Sequence, residues 1–265
     1  MKAMAVGGRV GISTVTAGRV GTGTPATRVL GLITLAAIAV LGLFALVLSP
    51  ADELQGDSVR LLYVHVPAAS LAYLSFAMSA VASALYLWPR TRRPGWDRLA
   101  GVTAEIGVLY TGIVLVTGML WGKVSWGAYW TWDARLTSTA LLFVLYVGYL
   151  AVRRMPAAVD VRAKRSAVVG LVAIVDVPVV HWAVDWWQGQ HPQSTILRLH
   201  PTISGLMAFS LFLGFVAGLL SFSWLLMHRY RVAVMEDLLE ARWLDLAIED
   251  RQREGAVPAA GVAAR

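Results

Sequence analysis

Apolar positions along the chain gather into six long runs, near residues 29–49, 61–88, 99–120, 136–152, 166–187 and 203–227. A helix needs about 20 apolar residues to cross a bilayer, and each run reaches or approaches that length. The fourth is short, so its helix is expected to begin earlier, near Asp133. The first lies behind a Gly/Thr/Ala-rich leader; its apolar core is too long for a signal peptide and no A-x-A site follows, so it reads as a retained helix. Beyond the sixth run, Met235, Leu238, Leu239, Trp243 and Leu246 recur at three- and four-residue steps among acidic residues. That spacing predicts a short amphipathic helix over 232–254, lying on the membrane surface in preference to docking a partner, with a flexible end after it.

Composition strengthens the membrane reading. The chain is 57% hydrophobic and 15% charged, whereas soluble domains carry about a quarter charged residues. The fold class expected is an all-α integral membrane protein, a bundle of six transmembrane helices. There is no cysteine, which excludes disulfides, thiolate metal ligands and thioether attachment to this chain. Of the 23 Lys and Arg residues, 19 fall in the leader, the second and fourth connections and the tail. Cations near helix ends stay cytoplasmic, so both termini are expected in the cytoplasm. The division is a basic leader (1–28), a six-helix domain (29–228) and a tail (229–265). The net charge of +7 is spread over four segments and reports topology, not nucleic-acid binding.

The remaining four cations, Arg60, Lys123, Arg135 and Arg198, lie on the outer side with most of the chemistry. The stretch "WGKVSWGAYWTWDARLTS" (121–138) carries Trp121, Trp126, Trp130 and Trp132 around Lys123, Asp133 and Arg135. His65 lies just inside the second helix, two residues before Pro67, which predicts an irregular helix start. The last outer segment adds Trp182, Trp186, Trp187, His191, Arg198 and His200. Tryptophans gather at membrane surfaces in many proteins, but seven of the eleven lie in two outer loops, and a belt does not require charges threaded between the rings. A binding platform fits better. Indole faces can stack on a planar ring, cations can pair with carboxylates at its edge, and two neutral imidazoles can ligate a central metal. Haem has all three features; a quinone site could also use these residue types. Asp133 either caps the fourth helix or orients Arg135. Asp176 and His181, within the fifth run, read as buried and packed groups.

These residues resemble the tryptophan-rich WWD signature of the cytochrome c maturation protein C (haem exporter protein C) family. The likeness runs from about residue 51 to 227, through "ADELQGDSVRLLYVHVPAA", "LVTGMLWGK" and "VDVPVVHWAVDWWQGQH". The resemblance implies a protein of the cytoplasmic membrane that is not an enzyme. Its loop would bind haem b transiently on the outer face, with His65 and His191 as axial ligands to the iron. It further implies delivery to a periplasmic haem chaperone, and partnership with ABC-type transporter subunits and a small membrane subunit. Propionate partners are expected among Lys123, Arg135, Arg60 and Arg198. The alternative class is a quinone-binding redox subunit or a small-solute transporter, which would line a transmembrane path with polar groups.

Overall fold

A computed structural model describes residues 23–187, 189, 191, 203 and 205–256. Arg198, His200, the leader through residue 22 and the end after residue 256 lie outside the described residues. Among the described residues there are no strands, and six helical spans are long and apolar enough to cross a membrane. The protein is an all-α, multi-pass membrane protein.

Helix α1 (Pro25–Leu43) starts four residues before the apolar run, because Thr24 and Thr27 form a reciprocal cap and Pro25 occupies the first turn. It continues through one wide turn, Phe44–Leu48. A 3-10 segment, Asp57–Leu61, leads into α2 (Leu62–Leu87). The irregular start expected near Pro67 is this segment, and Pro67 itself sits inside α2. A proline cannot bond the carbonyl four residues back, which here is that of Tyr63. A Cβ at Gly214 would collide with that same carbonyl, so glycine lets the last helix close on the gap.

Helix α3 (Pro94–Trp126) is 33 residues long. It runs past the apolar stretch through the first tryptophans, until Gly127 at φ 81° ends it in the left-handed region. The tryptophan-rich stretch is therefore largely helical: residues 121–126 are the C-terminal end of α3, and α4 (Ala134–Arg154) begins right after Asp133. Only 127–133 is open loop.

The fifth span is broken into α5 (Val159–Ala173) and α6 (Asp176–Trp186). Pro178 explains the break, since its ring excludes the carbonyl of Ile174 from helical bonding. Helix α7 (Gly205–Ala256) joins the sixth span and the amphipathic tail into one 52-residue helix. The expected surface helix is thus a continuous extension of the sixth span. Arg229 pairs with Glu105 and Glu236, Arg98 with Asp237, and Arg162 with Glu240, which ties the extension to the starts of α3 and α5.

Small residues bring the central helices together, as bilayer packing favours. Ser75, Ser79, Ala80 and Ser83 of α2 are buried, as are Ala100, Gly101, Ala104 and Gly107 of α3. The Ser79 hydroxyl donates to the Ala100 carbonyl at 2.9 Å. Phe76 fills the space over Gly107 and stacks on Tyr146 with ring centroids 3.8 Å apart. This core leaves the far ends of α2, α3, α4 and α6 to build the site.

Candidate functional site

His65 projects from the first turn of α2 toward the last turns of α3. Its Nδ1 lies 2.9 Å from the Thr117 hydroxyl, which itself donates to the carbonyl of Ile113 at 2.7 Å. With the hydroxyl hydrogen directed at Ile113, the arrangement suits Nδ1 as the donor to Thr117, the tautomer that leaves Nε2 unprotonated. Gly118 makes room for the ring, since a Cβ there would stand 3.2 Å from His65 Cε1. Trp121, one turn from Thr117, meets the imidazole edge to face at 5.7 Å. Thr117, Gly118 and Trp121 thus form one cradle on a single helix.

His191 is held in the same way by a different group. Its Nδ1 is 3.0 Å from Asp133 Oδ1, an oxygen that also accepts the backbone N–H groups of Arg135 and Leu136. Asp133 therefore caps α4 and orients His191, and the Arg135 group it accepts from is the backbone N–H. Burial alone would raise the Asp133 carboxyl, but the Leu136 N–H and His191 outweigh it and hold the group below its ordinary value. As an ionised acceptor, Asp133 fixes the His191 proton on Nδ1 and leaves its Nε2 free. Burial, aided by the Arg135 charge and opposed by Asp133, pushes the His191 imidazole below the usual histidine range. It is neutral at pH 7. A side chain at Gly189 would strike the Asp133 carboxylate, so the glycine permits the close approach. Trp126 packs against His191 at 4.8 Å.

Arg135 joins the two halves. Its Nη2 donates to the His181 carbonyl at 3.0 Å, while its Nε, with Trp130 Nε1 and Thr131 Oγ1, is buried and has no partner among the described residues. Three unfilled donors within six residues favour an anionic edge such as a carboxylate. Both His191 and Arg135 lie close enough to His65 to act on it electrostatically.

The other candidates are placed less centrally. Arg60 is engaged by Asp57 and by the carbonyls of Ala45 and Leu46. Lys123 donates to the Gly127 carbonyl at 2.9 Å and lies over the Tyr129 ring. The four tryptophans are not parallel faces, for Trp130 and Trp132 meet at 83° and Trp132 is 84% exposed. Trp121 also donates to Gln55 at 2.8 Å. Thr117, Gly118 and Thr131 were missed by sequence reasoning. The signal for Thr117 was its place one turn before Trp121, hence on the same face of α3.

Fold and site together define a multi-pass helical membrane protein with two oriented imidazoles and a set of unfilled donors at one end of the bundle. The family model described as "Heme exporter protein C" matches residues 18–245. The chain is 33% identical over 213 residues to the Heme exporter protein C of Haemophilus influenzae, covering 80% of this chain and 86% of that one. It is 36% identical over 210 residues to the protein of that name from Escherichia coli K12, covering 78% and 82%. A cytochrome c biosynthesis ccmC-like mitochondrial protein of Marchantia polymorpha is 36% identical over 169 residues, covering 64% and 71%. The chain belongs to the haem exporter protein C family. The family handles haem in cytochrome c biogenesis, as a membrane haem-transfer component of the maturation system.

Proposed function

We propose that this chain holds haem b transiently between His65 and His191 and delivers it to a periplasmic haem chaperone. The observation that carries this reading is the matched pair of imidazoles, each with Nδ1 held by a polar group, which suits Nε2 as the ligating nitrogen. Neutral imidazoles so oriented are ready axial ligands, and two of them leave no open position for oxygen chemistry. The buried unpartnered donors of Arg135, Trp130 and Thr131 suit a propionate, which favours Arg135 over the already engaged Arg60 and Lys123. Trp121 and Trp126 wall the two histidines, and Trp130 and Trp132 offer apolar surface beside them. The site faces outward from the cytoplasmic membrane, with both termini inside, in keeping with the cation distribution. The division into leader (1–28), membrane domain (29–228) and tail (229–265) belongs to the same reading, as do the ABC-type transporter subunits and small membrane subunit as partners. Arg198 remains a candidate on sequence grounds.

The test is the visible spectrum of the purified full-length protein. The expected result is a bis-imidazole Soret band, weakened by His65→Ala or His191→Ala and abolished in the double variant. A double variant with the parental spectrum would refute the ligand assignment.

A further inference from the structure

We infer that the two imidazoles grip the iron unequally, so that His65 lets go first and His191 last when haem is handed on. This rests on the haem-ligand reading above and concerns the order of release. The unequal element is the group behind each ring. His191 donates to a carboxylate, and that carboxylate is fixed by two backbone N–H groups at the start of α4. Behind His65 stand neutral groups instead, the Thr117 hydroxyl and the Val114 carbonyl. A hydrogen bond to an ionised acceptor is roughly twice as strong as one between neutral groups. It also shifts more electron density to the far nitrogen, making the ring a better donor to a metal.

Surroundings act in the same direction. Asp133 is almost fully buried, with its side chain 4% exposed, and His191 is 21% exposed beside it, so the carboxylate hold on His191 is little weakened by water. His65 lies over Gly118 and against the Trp121 ring, neighbours that bring no charge to its hold. That His65 stands on a helix and His191 on a connection affects how far each ring travels after dissociation; donor strength sets which bond breaks. On release, His65 Nε2 would keep the electron pair it lends to the metal, a donor of the receiving protein would replace it, no electron or proton would change hands, and the contact of Nδ1 with Thr117 would hold the ring oriented for the next haem. Thr117 and Asp133 are thus positioning residues with different effects.

Carbon monoxide tests the order on purified, haem-loaded, reduced full-length protein. It displaces the more weakly held imidazole, and the C–O stretch then reads the donor strength of the ligand left trans to it. Asp133→Asn keeps an oxygen for capping α4 but removes the charge, and a retained Soret band shows that the variant still binds. The expected result is a higher C–O frequency in Asp133→Asn and an unshifted one in Thr117→Val. Haem retention should fall by about 10–100-fold in Asp133→Asn, the usual cost of losing such a support, and by less in Thr117→Val. A shift in Thr117→Val alone would reverse the order; equal shifts in both, or in neither, would remove it. These outcomes are separate from failure of the ligand reading, which would show as a spectrum indifferent to loss of both histidines.

Discussion

Replacing Gly118 by Ala pits the helix against the site. Alanine stabilises a helix interior by up to about 1 kcal/mol relative to glycine, so the change should strengthen α3 if packing allows. The new Cβ would stand 3.2 Å from His65 Cε1 and 3.8 Å from its Nδ1. The first distance is tighter than ordinary van der Waals contact, and the ring must give by a few tenths of an ångström. It cannot do so freely, because Nδ1 is bonded to Thr117 at 2.9 Å and Trp121 closes one side. The displacement therefore falls on the direction of the Nε2 lone pair, on which ligation depends. Disturbing the groups that orient a metal ligand typically costs about 10–100-fold in metal affinity. The expected outcome is an apo-protein melting temperature equal to or above the parent's, with haem affinity lower by about tenfold or more in a Soret titration. Parental affinity together with a normal melt would refute the idea that His65 binds in the orientation described.

Removing the Arg135 charge by Arg135→Gln deletes a charge-assisted bond worth about 1.5–3 kcal/mol, and haem retention measured by transfer to apomyoglobin should fall by about 10–150-fold. A comparable loss in Lys123→Gln, with none in Arg135→Gln, would move the propionate partner. Burial holds the His191 imidazole below the ordinary histidine value of 6.5, so the folded protein favours its neutral form and loses that form only as pH falls through the lowered value. Haem retention should stay level from pH 8 to about 6.5 and decline below it; a midpoint above 6.5 would contradict this. A periplasm-active reporter should work when fused after Gly127 and fail after Arg93 or Met155, as the cation asymmetry requires, and activity at Met155 would invert the bundle.

The spans were legible because bilayer length and hydropathy are properties of local sequence. An end was legible where a cap stands, as at Asp133, whereas the break before Pro178 was hidden inside a run of continuous hydropathy. The run of α3 through Trp126 was hidden because its last turn exchanges aliphatic for aromatic and charged residues, and the stop lies in the φ of Gly127. The continuous α7 was hidden for another reason. Amphipathic spacing does not distinguish a helix lying on lipid from one held upright by Arg229, Asp237 and Glu240 against other spans. In the site, His65, His191 and the tryptophans were visible by residue type. Thr117 was not, because a threonine in an apolar helix usually bonds its own backbone, and Thr117 does that as well as receiving His65.

The opposite end of the bundle gives a prediction that separates scaffold from site. Arg153 of α4 forms two bonds to Asp97 of α3, at 2.6 and 3.0 Å, with side chains only 20% and 18% exposed. Its guanidinium lies over Gly101, where a Cβ would come within 2.8 Å of Nε. Taking one partner from such a pair leaves a poorly hydrated charge, at a cost of about 3–5 kcal/mol. Asp97→Asn should therefore lower the melting temperature markedly. Asp97 and Thr117 are twenty positions apart on the same helix, about 30 Å at the usual rise, and the small-residue packing of α2 on α3 lies between them. Loosening the first should leave the geometry of the second intact. The variant that remains folded at low temperature is expected to show the parental Soret band and haem affinity while melting earlier. If Asp97→Asn changed the spectrum as much as Gly118→Ala does, the two ends would be coupled, and the cradle of Thr117, Gly118 and Trp121 could not be treated as a unit built locally on α3.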